Sequence, residues 1–461
     1  MLQGLTADEQ RALQRALSGK TTLLAGSPRS RDAALFAAAA LSSKHPVLVA
    51  SPLAAQLAAG ARRQANLEVL LLTASSSGAE RAAVKKSLLR GGSLLLVVDP
   101  ARLFDAELRE LIAKSPLGLL GFAAAHACSE HAHELSPGYL SLREARRALK
   151  GSVLATCTRT SNRVVEQVVE AIGGDQASLI RAAEPEVTQR ARVVRPSERK
   201  SALFSCIQAH GAPGIVLAAT PQEVDSIFAE LGARGVAAVR AHGAMAAGER
   251  GAALERFASP RERLVLVTQS PHASAAGLAG SVEAELGLTS APPRDDLTFV
   301  VHYQAPLSPE QLFEDVAWLP RGAHSLVLAD SSDAALVQAL LAQQRVKPAA
   351  IEAVAQALLS APTDRPLFSD TLALRAGTSR RSAERVLSAL GDRNLIVRDN
   401  GQIARSQAAD LAAEARLLSA RFAALRAADA ERAEAIAQYV TSRHEASADS
   451  ATATSSVALR G

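Results

Sequence analysis

Short apolar runs alternate with helical segments along the first 190 residues of the chain. The runs are bounded by glycine, proline or polar residues, which is typical of buried β-strands. We predict strands at 21–26, 46–51, 68–74, 93–99, 117–122 and 152–157. The alanine-rich segments between the runs have helical spacing, and we predict helices at 31–42, 54–65, 79–90 and 161–173. This alternation predicts a parallel sheet with helices on both faces.

A second series of apolar runs begins near residue 200 and predicts a second parallel-sheet lobe. Its strands are predicted at 214–220, 236–241, 263–269, 297–303 and 324–330. Residues 270–296 lack a clear strand pattern and contain many small residues and a proline pair, which indicates a loop insertion. The mixed charge and Pro196 of residues 186–199 indicate a linker. We therefore place the first lobe at 1–185 and the second at 200–340.

From residue 346 onward the pattern becomes mainly helical. Three helical segments precede a hairpin with a predicted tight turn at Asn400-Gly401, and this order is typical of a winged helix at 346–405. Residues 406–443 have the spacing of one or two long, charged amphipathic helices. The low-complexity tail at 444–461 is predicted to be disordered.

The sequence predicts neither a membrane-spanning helix nor a signal peptide, and its net charge gives a modest preference for nucleic acid as a partner. The net charge is +5, whereas aromatic residues, which stack on bases, make up only 3% of the chain. No long uncharged apolar run predicts a membrane-spanning helix, and the charged N-terminus is unlike a signal peptide. The three cysteines lie far apart, which favours a reducing compartment. We expect a cytoplasmic, nucleoid-associated protein without a membrane partner.

Several motifs follow one another in a recognisable order. Residues 5–21 form an amphipathic helix pattern that ends in Ser-Gly-Lys-Thr, a Ser-Pro-Leu tripeptide at 51–53 follows a predicted strand, and residues 118–139 read GLLGFAAAHACSEHAHELSPGY. Through these motifs and their spacing, the chain resembles the RecQ-family DNA helicases of superfamily 2 over about residues 5–335. The resemblance implies the α/β fold class: two tandem RecA-like parallel-sheet lobes followed by a winged-helix domain and C-terminal helices.

The resemblance also implies where a nucleotide would bind, and the sequence departs from the family there. Gly26 remains in the loop after the first strand, but Arg31 takes the place of the phosphate-binding lysine. Asp32 takes the place of the hydroxyl that binds Mg²⁺. Glu9 and Gln10 lie in the segment that resembles the adenine-recognition motif. We expect Gly26, Arg31, Glu9 and Gln10 to be the residues that would contact a nucleotide, if one binds.

The residues that would perform hydrolysis are replaced as well. Ala123 and Ala124 stand where the family has the metal-binding and water-orienting carboxylates of its Asp-Glu-Ala-His motif. Ala317 and Pro320 stand where it has two arginines that act on the nucleotide, with Arg321 one place away. We therefore predict a pseudoenzyme that binds no cofactor. ATP and Mg²⁺ are expected only if the chain is an active helicase with an atypical site.

Three histidines and a cysteine cluster after the degenerate motif. His126, Cys128, His131 and His133 carry groups that can bind zinc, but their spacing fits no common zinc pattern. We expect a loop that is retained from the family's motif without its function, rather than a metal centre.

The predicted winged helix is rich in arginine. Its candidate DNA-binding residues are Arg375, Arg380, Arg381, Arg385, Arg393 and Arg398. Arginines on and beside a recognition helix can bind phosphates or enter a major groove. A solvated helix face without a ligand remains the alternative.

Three hypotheses follow. The first is a RecQ-like helicase homologue without ATPase activity that acts as a DNA-binding or partner-binding subunit in DNA repair or recombination. Its partner would be nonspecific or structured DNA, and another helicase or repair protein is a further possible partner. The second is an active ATP-dependent 3′–5′ DNA helicase. The third is a regulator that binds DNA through the winged helix.

Overall fold

The computed structural model describes residues 4–64, 66–73, 76–183, 187–269, 294, 296–317, 319–361, 367–399, 402–406 and 410–458. Side chains are described for all of these except 64, 344, 398, 399 and 445–458. The described chain divides into two compact units. Unit 1 comprises residues 1–183 and 345–428, and unit 2 comprises residues 184–344 and 429–461.

The first lobe, in unit 1, is built on a sheet in which every described strand pair is parallel. The strands are β1 Thr22–Ala25, β2 Val47–Ala50, β3 Glu68–Leu72, β4 Leu94–Val98, β5 Leu119–Phe122, β6 Val153–Cys157 and β7 Ser178–Arg181. They lie in the order β3-β4-β2-β5-β6-β1-β7. The helices are α1 Ala7–Leu17, α2 Asp32–Ser42, α3 Ala54–Gln64, α4 Gly78–Arg90, α5 Ala106–Lys114, α6 Leu142–Ala148 and α7 Asn162–Ile172.

The apolar runs predicted as strands in this lobe are confirmed. β4 and β6 are buried along their whole length, as expected for strands covered on both faces of a parallel sheet. Helices cover both faces, because the buried side chains separate into two apolar clusters, one on each side of the sheet. The edge strand β7 was missed in the sequence, since its residues alternate between half-buried and exposed and form no apolar run.

The second lobe, in unit 2, also contains a wholly parallel sheet within the described residues. Its strands are β8 Thr188–Val193, β9 Gly214–Ala218, β10 Ala238–Ala241, β11 Val265–Gln269, β12 Phe299–His302 and β13 His324–Ala329, in the order β10-β11-β9-β12-β13-β8. Its helices are α8 Arg199–His210, α9 Pro221–Ala233, α10 Ala247–Ala258, α11 Pro309–Val316 and α12 Asp333–Gln344. The fold class predicted from the sequence is confirmed for both lobes. Most of the predicted insertion at 270–296 lies outside the described residues.

The predicted linker at 186–199 contains structure instead. Residues 188–193 form β8, which pairs with β13, and Arg199 already begins α8. The strand was not apparent in the sequence because β8 lies at the sheet edge and only Ala191 among its residues is buried. An edge strand with one buried residue has no apolar run to identify it. The second lobe therefore begins with β8.

Three helices and a hairpin follow in the predicted order. They are α13 Pro348–Leu359, α14 Ser369–Arg375, α15 Arg380–Gly391, β14 Ile396–Asp399 and β15 Gln402–Arg405, and we call residues 348–405 the helix–hairpin module. The two strands are antiparallel, and Leu367 adds a bridge to Ile403. One apolar cluster unites the three helices, the hairpin and the start of the next helix. The predicted turn at Asn400-Gly401 lies outside the described residues.

The last element is one continuous helix, α16 Leu411–Ala458. Its first part contributes Leu418 and Phe422 to the apolar cluster of the module. Ile436 and Val440 pack within unit 2 beside Leu312 and Val316. The backbone is helical through most of 444–461, where the sequence predicted a disordered tail. No helix in the described ranges has both the length and the apolar character needed to cross a membrane.

Candidate functional site

The carboxyl ends of β1, β5 and β6 meet at one edge of the first sheet, because β5, β6 and β1 are successive neighbours. The loop 26–31, the segment beginning at Ala123 and the residue Thr158 follow these strands directly. Ligands of open α/β sheets bind beyond the carboxyl ends of the strands. This edge is therefore the candidate nucleotide site of unit 1.

The backbone of the loop 26–31 donates its hydrogen bonds to the protein itself. The N–H groups of Gly26 and Ser27 both donate to the carbonyl of Cys157, at 2.8 and 3.1 Å. Pro28 has no N–H, and the Arg31 N–H donates to the Pro28 carbonyl at 3.0 Å. A phosphate-binding loop needs such donors to point at the ligand. These donors are already used, so the loop does not present the usual phosphate cradle.

Arg31, at the position of the phosphate-binding lysine, is held by Glu9 of α1. Its Nε donates to Glu9 Oε1 at 2.8 Å and its Nη2 to Glu9 Oε2 at 2.7 Å, which is a bidentate ion pair. The Glu9 carboxylate also accepts the Thr6 N–H at 2.7 Å in a capping box at the start of α1. Hydrogen bonding to Glu9 raises the pKa of Arg31 above its usual value. The arginine is therefore neutralised by a carboxylate of its own chain.

Arg29, two residues earlier, has a carboxylate partner as well. Its Nη2 lies 2.7 Å from an Oε2 of Glu134 and 3.2 Å from Nε2 of His126. The Thr158 N–H contacts the other ring nitrogen of His126 at 3.3 Å. Sequence reasoning missed Glu134, because nothing in its spacing links it to a residue 105 positions earlier. Both arginines of the loop thus have acidic partners from other segments.

The first residue of α2 is an aspartate. Asp32 is buried at the N-terminus of this helix, where the helix dipole favours a negative charge. Burial, and secondarily the nearby charge of Asp32, raises the pKa of the buried Tyr139 well above its usual value. A phosphate group would meet a carboxylate at the helix end that normally receives it.

Ala123 and Ala124 occupy the strand end where the carboxylates would be. Ala123 is fully buried and belongs to an apolar cluster with Leu24 and Phe36. Ala124 has the left-handed φ of 52°, and its N–H donates to Thr156 Oγ1 at 3.2 Å. The Tyr139 hydroxyl lies 2.8 Å from the Ala123 carbonyl and 2.6 Å from the Ala50 carbonyl. Apolar packing and hydrogen bonds therefore fill this position.

The other expected nucleotide contacts are used internally. Gln10 Nε2 donates to the Leu5 carbonyl at 3.0 Å, and Glu9 serves the ion pair with Arg31. Gly26 adopts a φ of +85°, a conformation that other residues rarely adopt. The structure thus brings Glu9, Gly26 and Arg31 into one region, where they are bonded to their own chain.

The histidine and cysteine residues after the motif do not converge on a point. No group of three or more potential metal ligands comes together within the described ranges. The ring nitrogens of His126 contact Arg29 and the Thr158 N–H. The backbone N–H of His131 donates to Ser129 Oγ at 3.0 Å. Burial raises the pKa of the Cys128 thiol to about 12, so this cysteine stays protonated at neutral pH.

In unit 2, Ala317 and Pro320, where two arginines that act on the nucleotide were expected, follow α11. Ala317 caps the C-terminus of this helix, and Pro320 and Arg321 precede β13. The buried Asp315 of α11 accepts a contact from His302 Nε2 at 2.9 Å, which fixes the helix to the end of β12. Neither Ala317 nor Pro320 carries a charge that could act on a phosphate.

Three of the predicted DNA-binding arginines are exposed on the helix–hairpin module. Arg375 ends α14, and Arg380 and Arg381 begin α15. Arg380 Nε lies 3.2 Å from Asp370 Oδ1 in an exposed pair, and such pairs contribute little to stability. Arg385 is half-buried, and burial lowers its pKa below the usual value. The side chain of Arg398 lies outside the described residues.

Arg393 has a different role from the other arginines. Its side chain is mostly buried, its Nε donates to Glu414 Oε2 at 3.1 Å, and its Nη1 contacts the Ser141 hydroxyl of the first lobe. Beside it, Asn394 Nδ2 donates to the Ala101 carbonyl at 2.8 Å. This arginine holds the module to the first lobe and is not presented to a ligand.

The segment from His126 to Ser141 links the candidate nucleotide site to the module. At one end Glu134 pairs with Arg29. At the other end, Leu135 and Leu140 pack against the apolar cluster of the module. Glu130 of the same segment pairs with Arg421 of α16 at 2.7 Å. We call residues 126–141 the docking segment.

Comparisons with known proteins identify the fold of the chain but not its family. No protein-family model matches the sequence, and no curated protein matches it significantly. Among solved structures, a DEAD box protein from the hyperthermophile Methanococcus jannaschii is 17% identical, with a TM-score of 0.50. That match covers 73% of this chain and 90% of the other.

The DUF1998 helicase MrfA bound to DNA and AMPPNP is 15% identical, with a TM-score of 0.52. The match covers 88% of this chain and 60% of MrfA, so the chain spans about three fifths of that helicase. At this identity the likeness concerns the fold alone. The chain has two tandem RecA-like lobes, and in fold it is similar to these two proteins.

Proposed function

We propose that this protein is a catalytically silent relative of the RecQ-type DNA helicases, a DNA-binding subunit that acts in repair or recombination without hydrolysing ATP. The observation that carries the proposal is the bidentate pair of Arg31 with Glu9. The residue in the position of the phosphate-binding lysine is held by a carboxylate of its own chain. ATP would have to displace Glu9, and a buried carboxylate without its partner costs several kcal/mol.

Three further features of the site oppose hydrolysis. Asp32 places a negative charge at the helix end that would receive phosphate. The N–H groups of Gly26 and Ser27 are bonded to Cys157. Ala123, at the expected metal ligand, is fully buried among apolar side chains. A phosphoryl transfer site relies on positioned cations and metal ligands, and these are missing or neutralised here.

The proposed DNA-binding surface is the module, which we interpret as a winged helix. Arg375, Arg380 and Arg381 are exposed at the end of α14 and the start of α15, where a recognition helix carries its contacts. Since Arg393 is used to hold the module to the first lobe, we do not include it in this surface. Contacts from exposed arginines to phosphates give binding that depends on salt and little on sequence. A nucleoid-associated protein in the cytoplasm, with another repair protein as a partner, is consistent with such binding.

The test is ATP hydrolysis by the full chain, alone and with single-stranded or forked DNA. The matched control is Arg31→Ala, which removes the residue in the lysine position but would not affect a contaminating ATPase. We expect no DNA-stimulated hydrolysis, and any background to be equal in both proteins. Hydrolysis that DNA stimulates and that Arg31→Ala abolishes would favour the active helicase and overturn the proposal.

DNA binding is tested separately with the triple variant Arg375→Ala, Arg380→Ala, Arg381→Ala. Its control removes three exposed positive charges from the first lobe, through Arg90→Ala, Lys114→Ala and Arg143→Ala. We expect the module variant to lose at least tenfold in affinity for duplex or forked DNA at low salt and the control to lose little. We also expect ATP to leave the affinity of the natural protein unchanged. Equal losses in the two variants would contradict the assignment of the surface.

A further inference from the structure

A second basic surface lies on the first lobe, between α1 and the edge strand β7. It is a groove of about 540 Å³ that both elements line. Its principal lining residues are Arg11, Gln14, Arg15, Ser18, Leu179 and Arg181. Neither the degenerate nucleotide site nor the helix–hairpin module contributes a residue to this lining.

Two of the three arginines in the groove have only neutral partners. Arg15 Nη2 lies 3.0 Å from Ser178 Oγ, and Arg181 Nη2 lies 3.0 Å from Asn162 Oδ1. Within the described part of the chain, neither guanidinium pairs with a carboxylate. Arg11 pairs with Asp8, whose carboxylate also accepts the Ala183 N–H at 2.9 Å. The groove therefore carries net positive charge and is open to solvent.

The arrangement of these charges indicates an extended anion rather than a single small one. Arg11 and Arg15 lie one helical turn apart on α1, and Ser178 and Ile180 of β7 face this helix. Arg181 lies on the other face of β7, because successive strand residues alternate and its side chain is bonded to Asn162 of α7. The three guanidinium groups therefore do not converge on one point but follow one another from α1 around the edge of β7. A phosphate ion needs donors that converge, whereas a polyanion can meet charges in succession.

The small volume of the groove and its one exposed leucine favour a single nucleic-acid strand. A flexible single strand can follow a groove of about 540 Å³, whereas a rigid duplex fits it poorly. Leu179 is 41% exposed and offers an apolar contact to a sugar or base. An acidic peptide is the competitor, because β7 is an edge strand with a free side. β7 is short, however, and the charged Arg181 at its edge disfavours pairing with another strand.

We propose that the groove between α1 and β7 binds the phosphodiester backbone of single-stranded DNA through Arg11, Arg15 and Arg181. The inference rests on the proposed function for the identity of the polyanion and adds a second contact surface to it. The described lining residues include no aromatic side chain, so this binding would rest on contacts to phosphates and would depend strongly on salt.

The experiment measures the affinity of the full chain for a fluorescent oligothymidine over a series of salt concentrations. The groove variant is Arg15→Ala with Arg181→Ala, and its control is Lys85→Ala with Lys86→Ala on α4, which removes the same charge from exposed positions. The salt slope is the slope of the logarithm of the binding constant against the logarithm of the salt concentration. For a single strand, each phosphate contact contributes about 0.7 to its magnitude, so we expect the two substitutions of the groove variant to lower it by about 1.4. The control should keep the natural slope.

A salt slope and affinity equal in the groove variant and the control would overturn the inference. Loss of binding to an oligoglutamate peptide, with oligothymidine binding intact, would overturn it in favour of an acidic peptide. The module variant separates this inference from the proposed function. If the module variant loses duplex binding and the groove variant loses oligothymidine binding, both proposals are supported. If the module variant loses duplex binding but the groove variant binds oligothymidine normally, only the groove inference is overturned. A natural protein that binds no DNA defeats both.

Discussion

Glu9 of α1 and Arg31, just before α2, form a bidentate ion pair with distances of 2.7 and 2.8 Å between their nitrogen and oxygen atoms. Glu9 is buried, and Arg31 is about one-third exposed on its side chain. The pair joins the first helix to the loop in which a helicase of this fold would hold phosphate. The loop thus has a carboxylate ligand supplied by its own chain, and its arginine needs no nucleotide to neutralise it.

Glu9→Gln should destabilise unit 1 because the neutral amide cannot accept both arginine hydrogen bonds. We expect a loss of about 1–2 kcal/mol in the free energy of unfolding, since Arg31 is partly exposed and its charge partly screened by water. Urea denaturation followed by circular dichroism measures the loss. The control is Glu170→Gln, whose partner Arg143 is exposed, and which should change stability by less than about 0.5 kcal/mol. Equal effects of the two substitutions would show that the Glu9–Arg31 pair contributes no more to stability than an exposed surface pair.

Arg393→Ala should loosen the module from the first lobe. The substitution removes contacts to Glu414 and to the Ser141 hydroxyl, whereas the helices of the module keep their own apolar cluster. We expect faster hydrogen exchange at the backbone amides of the docking segment, such as the Tyr139 N–H that donates to Ser136. Arg381→Ala, on the exposed face of the same module, is the control and should leave these rates unchanged. Unchanged exchange in Arg393→Ala would mean that apolar packing alone holds the module.

Apolar patterning predicted the parts of this fold that are buried on both sides. β4 is an uninterrupted apolar run and β6 is apolar except for the buried Thr156, because helices cover both faces of the sheet at these strands. β7 and β8 lie at sheet edges, where few side chains are buried, so their sequences resemble linkers. An edge strand is defined by the neighbour with which it pairs, and that information is not local.

The contacts of the candidate site could not be predicted from the sequence. Gly26, Arg31, Asp32 and Ala123 lie beyond the carboxyl ends of β1 and β5, and their part in nucleotide binding stays a prediction. The partners of the arginines could not be predicted, because Glu134 and Glu9 are separated from them in sequence and their spacing follows no repeat. Arg393 was assigned to DNA for a similar reason: like Arg381 it lies on or beside the third helix of the predicted winged helix, and only tertiary packing distinguishes them.

The stacked rings of His210 and His324 should make unit 2 less stable in mild acid. Their centroids are 3.9 Å apart, and burial, followed by nearby charges that include Arg190, lowers the pKa of both below 6.5. The unfolded chain therefore takes up these protons at a higher pH than the folded chain, so stability is lost as the pH falls below about 6.5.

Denaturation midpoints at pH 7.5 and 5.5 measure this loss. The variant His210→Gln with His324→Gln should lose less stability between the two pH values than the natural protein. His45→Gln, at an exposed position of the first lobe, is the control and should keep the full loss. A double variant with the natural pH dependence would assign the effect to other groups.

Ala123→Asp should fail to restore a metal site and should instead unfold the first lobe. Ala123 is fully buried in an apolar cluster with Leu24 and Phe36, and its backbone is bonded to Ala50 and Tyr139. A carboxylate at this position is shielded from solvent, and the arginines of the neighbouring loop, Arg29 and Arg31, already have acidic partners. We expect a loss of about 3 kcal/mol or more in the free energy of unfolding, the usual cost of a buried, unpaired charge.

The control is Ala83→Asp, the same change on the exposed face of α4, which should lower the free energy of unfolding by less than about 1 kcal/mol. Urea denaturation of both variants, with and without Mg²⁺, measures the difference. If the Ala123→Asp protein is stable and Mg²⁺ stabilises it further, the prediction is wrong and the site retains the capacity to bind metal.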